Sequence, residues 1–240
     1  MNIYEIPSMK SRIAGNSYVG RGIVVGKSED ATKAVFAYFI MGRSENSRNR
    51  IFIENGEEVI IHPFDASKVG DPSLIIYSPV RKIGNDVIVT NGDQTDTVYD
   101  FLRDGKTFKE ALDTRCFEPD APNFTPRISA VMHYADGDFT YEMNILKSID
   151  AVGSACTRMN FAYPTVAGLG HFIHTYVCDG NPIPTFRGEP ERVAIPNDID
   201  AFTSEIWDNL DTQNRISLYV RYVDLASGKI ENRMINKHLA

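Results

Sequence analysis

Arginine, tyrosine and glutamate stand at several points of this chain where they could hold an anion and move protons. The segment "GRSENSRNR" carries Arg43, Arg48 and Arg50 out of a strand within eight residues, with only Glu45 as an acidic neighbour. A guanidinium is a planar fork of donors, so this cluster suits a phosphate or carboxylate, although a solvated basic turn has the same composition. Arg21, inside the alternating "YVGRGIVVG", either lies on a solvated face or reaches into a site. Tyr77 in "YSPVR", and Glu118 ahead of "TPRI" with its Arg127, are of types that orient a polar substrate, transfer protons and stabilise an anionic oxygen. As isolated residues they are equally ordinary surface groups.

The stretch "VTNGDQTDTVYD" adds a polar turn between an apolar strand and a helix. Asn91-Gly92 suits a tight turn, and the side chains from Asp93 to Thr97 stand where a helix leaves its first amides unpaired. Those amides can take an anion or simply be capped.

Other chemistries are disfavoured. The chain has no G-x-x-x-x-G-K-[ST] loop, no H-E-x-x-H and no G-x-S-x-G elbow, and Met1-Asn2 offers no N-terminal nucleophile. His171 and His174 are three apart in a presumed strand, so they point to opposite faces and cannot share a metal. No metal is predicted. Cys116, Cys156 and Cys178 are odd in number and form no C-x-x-C pair, which predicts buried thiols rather than a disulfide framework. A net charge of -7 and a pI near 5.3 argue against a nucleic-acid partner but leave room for one small anionic ligand. The N-terminus lacks the pattern of a signal peptide and no apolar run approaches the roughly 18 residues of a membrane span, so a cytoplasmic protein without a membrane partner is expected.

The elements that must position these residues are mostly short strands. "SYVGRGIVVGK", "KAVFAYFIM", "RIFIEN", "EEVIIHP", "SLIIYSPVRKI" and "DVIVTN" fill the first ninety residues, separated by Gly, Asn, Asp and Pro. Two helices are predicted next, one from Thr95 to Arg103 with Gly105 as its stop, the other after the capping box Thr107-x-x-Glu110. Hairpins are predicted at 128–146, turning on Ala135-Asp136-Gly137-Asp138, and at 216–235, turning on Ser227-Gly228. Between them "GHFIHTYVC" reads as a strand, and "DIDAFTSEIWDNL" as a helix with Phe202, Ile206 and Leu210 on one side. Strands, two helices, more strands and a last helix make an α+β fold of two packed sheets with helices outside, in a single domain over 1–240.

In order, "YVGRGIVVG", "AYFIMGRSENSRNR", "VTNGDQTDT" and "NFTPRISA" resemble the archaeal-type inosine monophosphate (IMP) cyclohydrolase family, over roughly residues 18 to 135 and more weakly beyond. The resemblance implies a four-layer α-β-β-α sandwich of two mainly antiparallel sheets with flanking helices, like that of the N-terminal-nucleophile hydrolases. It further implies an enzyme of purine biosynthesis that closes 5-formamidoimidazole-4-carboxamide ribonucleotide to IMP with loss of water and without a cofactor. On that basis Arg50, Tyr77, Asn91 and Glu118 are assigned to the reacting end. Arg21, Arg48, Gly92, Thr95, Asp96, Thr97 and Arg127 are assigned to binding the ribose and phosphate or bracing the site.

Two departures stand out. The turn "SENSRNR" is longer than the family's S-F-P-N-R and lacks its Pro. Residues 1–17 and a hairpin over 212–240 read as extensions, which could serve as a homo-oligomer contact. Two other readings compete: a non-catalytic purine-nucleotide-binding or regulatory protein on the same fold, and an amidohydrolase using Ser154 or Cys156 in "AVGSAC" after self-cleavage.

Overall fold

The computed structural model describes residues 2, 4–69 and 77–239. Part of the run "SLIIYSPVRKI", residues 73–76, therefore lies outside the described residues. The first sheet is built from β1 (Arg21–Lys27), β2 (Lys33–Met41), β10 (Leu169–His174), β11 (Glu191–Ala194), β12 (Arg215–Asp224) and β13 (Ile230–Asn236). The second comprises β3 (Ile51–Asn55), β4 (Glu58–His62), β5 (Val80–Ile83), β6 (Asp86–Thr90), β7 (Arg127–Ala135), β8 (Asp138–Ser148) and β9 (Cys156–Pro164). Their orders are β11-β10-β1-β2-β12-β13 and β3-β4-β5-β6-β7-β8-β9, with antiparallel pairing throughout.

Strand β2 shows why "KAVFAYFIM" is apolar from end to end. Its Ala34, Phe36, Tyr38 and Ile40 face the second sheet, whereas Val35, Ala37, Phe39 and Met41 face outward beneath helices. A strand covered on both faces has no reason to alternate with polar residues. The outer cover of this sheet is α1 (Met9–Ile13) and α5 (Ile199–Asn209), which bury Met9, Ile13, Phe202 and Ile206 against Val24, Phe39, Leu218 and Val220. On the other side α3 (Gln94–Arg103) and α4 (Phe108–Asp113) set Val98, Phe108, Ala111 and Leu112 over Ile88, Val131 and Leu146. The four layers expected from the sequence are thus formed.

The local signals behave as their chemistry requires. Thr107 caps α4 and Glu110 returns the hydrogen bond to the Thr107 amide, completing the capping box. The second hairpin does more than append itself: β12 lies inside the first sheet between β2 and β13. The N-terminal segment likewise packs α1 against α5, with the Lys10 amide donating to Glu205. A short helical turn, α2 (Glu45–Arg48), interrupts the passage from β2 to β3. Among the described residues, no helix is long and apolar enough to cross a membrane.

Candidate active site

One end of the sandwich gathers the start of β1, the exit of β2, the start of β3, the loop before β7 and the exit of β10. There a cavity of about 370 Å³ opens between the sheets, lined by Tyr18, Arg21, Arg43, Arg50, Glu118 and Tyr176 among others. That volume is in the range of small-molecule sites, about 300–1,000 Å³. Arg21 belongs to the first sheet and Arg50 precedes the first strand of the second, so the two sheets each contribute a guanidinium to the same space.

The placing of Arg21 depends on its neighbours. Its amide donates to Thr175 Oγ1 at 3.1 Å, and Gly20 before it has φ +78°. A Cβ on Gly20 would lie 2.0 Å from that hydroxyl oxygen, so both the backbone conformation and the close approach call for glycine. Burial weakens the hold of Arg21 on its proton, but Tyr18, Glu118, Tyr77 and Tyr176 more than offset this and its pKa is raised. Arg50 is shifted the other way, lowered by burial and then by the charge of Arg21. The Nε atoms of both arginines are buried and find no hydrogen-bond partner among the described residues. Buried donors left unpaired are costly, and an anionic ligand would satisfy them.

Beneath the arginines lies a pair of phenols. Tyr38 of β2 and Tyr77, which precedes β5, meet oxygen to oxygen at 3.1 Å, and both side chains are buried. Tyr77 is not itself a wall of the cavity, yet it interacts electrostatically with Arg50, Arg21 and Glu118. Burial raises its pKa, while the arginines and the hydrogen bond with Tyr38 pull it down. Glu118 stands at the cavity side, held by its amide donating to the Thr125 carbonyl at 2.9 Å. Burial raises its pKa against the pull of Arg21, Arg127 and Arg50, with Asp120 adding to the rise. A carboxyl that holds its proton more tightly than usual is of the kind used in proton transfer. Asp120 itself accepts from the amide and hydroxyl of Thr125, whose Oγ1 also meets the Tyr176 hydroxyl at 2.6 Å.

The polar stretch after β6 has a different role from the one its composition invites. Asn91, assigned above as a donor at the reacting end, is buried and does not line the cavity. Its amide donates to the Pro126 carbonyl at 2.9 Å, and its Oδ1 accepts from the Ile128 amide and from Gln94. It ties the end of β6 to the start of β7. Thr95 is buried against Thr90 Oγ1 at 2.6 Å and the Gly92 carbonyl. The amides of Thr95 and Asp96 already bond the carbonyls of Gly92 and Asp93, so the start of α3 offers no free cradle there. Asp96 turns outward to Arg81 at 2.8 Å. Thr97, half-buried on the first turn of α3, is not among the residues lining the cavity. Gly92 is small because Arg127 and Gln94 lean over it, and a Cβ would lie 2.6 Å from atoms of each. Arg127 donates to Asp93 at 2.6 Å and to Gln94 at 2.7 Å, while its field reaches Glu118. This stretch is therefore a brace behind the Glu118 side of the cavity.

Arg48 also departs from its assignment. Its Nε donates to the Gly42 carbonyl and its terminal nitrogen to Asn214, in a separate depression of the surface. The helical turn of α2 ends at Arg48 and the chain then extends, so Arg48 and Arg50 leave it in different directions. Arg43 lines the cavity instead, with its guanidinium 5.2 Å from the centre of the Tyr18 ring and bonded to Asp179 and the Gly180 carbonyl. Tyr38 was accessible to a closer reading, since a phenol at an inward position of an otherwise apolar strand must find a partner. Tyr18 and Tyr176 flank strand ends without any comparable sequence signal.

The remaining candidates lie elsewhere. His171 and His174 do occupy opposite faces: His171 meets the Tyr141 hydroxyl between the sheets at 2.6 Å, and His174 the Tyr176 carbonyl at 2.7 Å. The thiols are not buried as expected, for Cys116 and Cys178 are exposed and Cys156 is half-buried. Cys156 opens the edge strand β9, and Ser154 is an exposed turn residue bonded to Asp150. Neither lines the cavity, so the two nucleophiles of the self-cleaving amidohydrolase reading lie away from this site.

An α-β-β-α sandwich with paired guanidiniums and a raised carboxyl at its open end defines a protein built to receive a small anionic molecule between its sheets. Comparison with known families matches residues 18–228 to the IMP cyclohydrolase-like proteins. The chain belongs to that family. Among curated relatives, the IMP cyclohydrolase of Methanococcus aeolicus is 28% identical over 165 residues, covering 67% of this chain and 75% of that protein. That of Methanopyrus kandleri is 36% identical over 118 residues, 48% of this chain and 58% of its own length. That of Methanothrix thermoacetophila is 38% identical over 88 residues, 37% of this chain and 42% of its own.

Proposed function

We infer that this chain is an IMP cyclohydrolase, an enzyme of purine biosynthesis that closes 5-formamidoimidazole-4-carboxamide ribonucleotide to IMP and water. The observation that carries the reading is the convergence of Arg21 and Arg50, from different sheets and with unpaired Nε donors, on one cavity beside Glu118. The family match and the names of the relatives support the same reaction.

Ring closure joins the carboxamide nitrogen to the formyl carbon. The carboxamide nitrogen gives up one proton and the formamide nitrogen another, and the formyl oxygen gains both and leaves as water. Folding the substrate so that the two groups meet supplies much of the rate, since proximity can be worth about 7–11 kcal/mol of barrier. In this account Arg50 and the Tyr77 hydroxyl stabilise the negative charge that develops on the formyl oxygen. Glu118 accepts a proton from the attacking nitrogen and returns it to the departing oxygen. Arg21 and Arg43 bind the anionic remainder of the substrate, and Arg127, held by Asp93, biases Glu118 toward its charged form. Asn91, Gly92, Thr95, Asp96 and Thr97 brace the wall, and Arg48 fixes the turn that aims Arg50. The partner is thus a small ribonucleotide in the cytoplasm rather than nucleic acid or membrane.

Incubating purified protein with the formamido ribonucleotide and separating the products by chromatography tests the reading. IMP formed in proportion to the protein added is the expected result. Unchanged substrate, with IMP still raising the melting temperature, would replace catalysis by the nucleotide-binding reading.

A further inference from the structure

We propose that Tyr38 is a positioning residue for the ring closure, donating its phenolic hydrogen bond to Tyr77 so that the Tyr77 hydroxyl is turned toward the substrate. The proposal rests on the cyclohydrolase reading above. Tyr38 sits in the middle of the apolar β2, inside the segment "AYFIMGRSENSRNR", where no role was assigned to it.

The argument begins with the geometry. The two phenol oxygens are 3.1 Å apart, and both side chains are buried. Each phenol has one hydrogen to give. The one that donates within the pair therefore has no hydrogen for a third group, and the one that accepts keeps its own free. Tyr38 is enclosed by the core: it faces the second sheet from β2, and its ring stacks on Phe52 with centroids 5.5 Å apart. Both phenols interact with Arg21 and Arg50, but Tyr77 keeps 8% of its surface exposed where Tyr38 keeps none, and it also interacts with Glu118. The arrangement with Tyr38 as donor satisfies the enclosed hydroxyl completely and leaves the Tyr77 hydrogen on the side of the arginines and Glu118. The reverse would turn the Tyr77 hydrogen into the core and leave the Tyr38 hydrogen without an acceptor.

The electrostatics run the same way. Arg50 and Arg21 favour negative charge at Tyr77, and a hydrogen bond received from Tyr38 favours it further. When Tyr77 gives its hydrogen to the formyl oxygen, charge grows on the Tyr77 oxygen, and the bond from Tyr38 strengthens at that moment. An interaction stronger in the transition state than in the ground state raises kcat rather than tightening binding. β2 is a central strand held between β1 and β12, which keeps Tyr38 fixed while Tyr77 stands on the loop leading into β5.

The test is Tyr38→Phe, which keeps the ring and removes only the hydroxyl, studied beside Tyr77→Phe and the double variant. Expected for Tyr38→Phe is a roughly tenfold lower kcat with KM little changed, the scale of one lost hydrogen bond. Its high-pH limb of kcat should move upward, because the bond that lowers the Tyr77 pKa is gone. Adding Tyr38→Phe to Tyr77→Phe should cause no further loss. A second readout independent of turnover is NMR titration of protein labelled at the tyrosine Cζ, in which the Tyr77 midpoint should rise in Tyr38→Phe. Wild-type kcat with an unchanged pH profile, additive losses in the double variant, or an unmoved Tyr77 midpoint would each overturn the role of Tyr38. A wild-type protein without any conversion would instead overturn the cyclohydrolase reading, and this role with it.

Discussion

Arg21 and Arg50 leave opposite sheets and face one cavity, close enough that the charge of Arg21 lowers the proton affinity of Arg50. Two like charges with unpaired buried donors are an arrangement that folding alone would not select. Replacing Arg50 by Met should therefore raise the melting temperature of the ligand-free protein and leave much of the stabilisation by IMP in place, since Arg21 and Arg43 hold the anionic end. Calorimetry with and without IMP checks this. A variant less stable than wild type when ligand-free would mean that Arg50 serves the fold.

Glu118 should give activity an acid limb above the ordinary carboxylate range. Its pKa is raised by burial, so the carboxylate needed as proton acceptor is lost as pH falls through that elevated value. Glu118→Gln should lower kcat by about 10²-fold or more, the usual scale of general acid-base catalysis. The same shift fixes a stability sign: the raised group favours the folded state when protonated, and that contribution fades as pH rises through its folded pKa. At neutral pH Glu118→Gln should then be at least as stable as wild type. A pH profile of kcat, with melting curves for both proteins, separates these effects, and a wild-type profile in the variant would remove Glu118 from the chemistry.

Asn91→Ala should act mainly on stability. The Asn91 side chain satisfies the Ile128 amide, the Pro126 carbonyl and Gln94 in a buried tie between β6 and β7. Removing it leaves buried partners unsatisfied, at about 1–3 kcal/mol for such a group. Urea unfolding should show the loss directly. Unchanged stability combined with abolished turnover would return Asn91 to the reacting end.

His133 provides a pH test remote from the site. It bridges Asp86 at 2.8 Å and Glu142 at 3.4 Å across β6, β7 and β8, and those partners raise its pKa to about 9. The stability it contributes is fully present below the ordinary histidine value near 6.5 and is lost as pH rises through about 9. His133→Gln should flatten the decline of the melting temperature between neutral pH and that value. Equal declines in both proteins would show that the clamp contributes nothing.

Much of the architecture was legible because its signals are local. The capping box at Thr107, the turn at Asp136-Gly137 and the spacing of Phe202, Ile206 and Leu210 depend on neighbours a few residues away. β9 is not among the expected strands, although Met159, Phe161 and Tyr163 alternate inward along it. The site was harder to read, because it depends on which way a side chain leaves the backbone. Arg43, Arg48 and Arg50 share one short segment, yet α2 turns Arg48 away and leaves the other two in the cavity. Asn91 looked like a donor because composition cannot show that Pro126, Ile128 and Gln94 already occupy it. The phenol pair joins residues 39 positions apart, one in β2 and one on the loop before β5, a relation absent from any local pattern.

The most direct test of the central claim is an absorbance time course of the formamido ribonucleotide with wild-type protein, Arg21→Ala and Arg50→Ala, read as kcat and KM. The account predicts conversion to IMP by wild type, a raised KM in Arg21→Ala and a collapse of kcat in Arg50→Ala. Wild-type conversion left intact by both substitutions would contradict it, because the reaction would then take place outside the cavity that these arginines define.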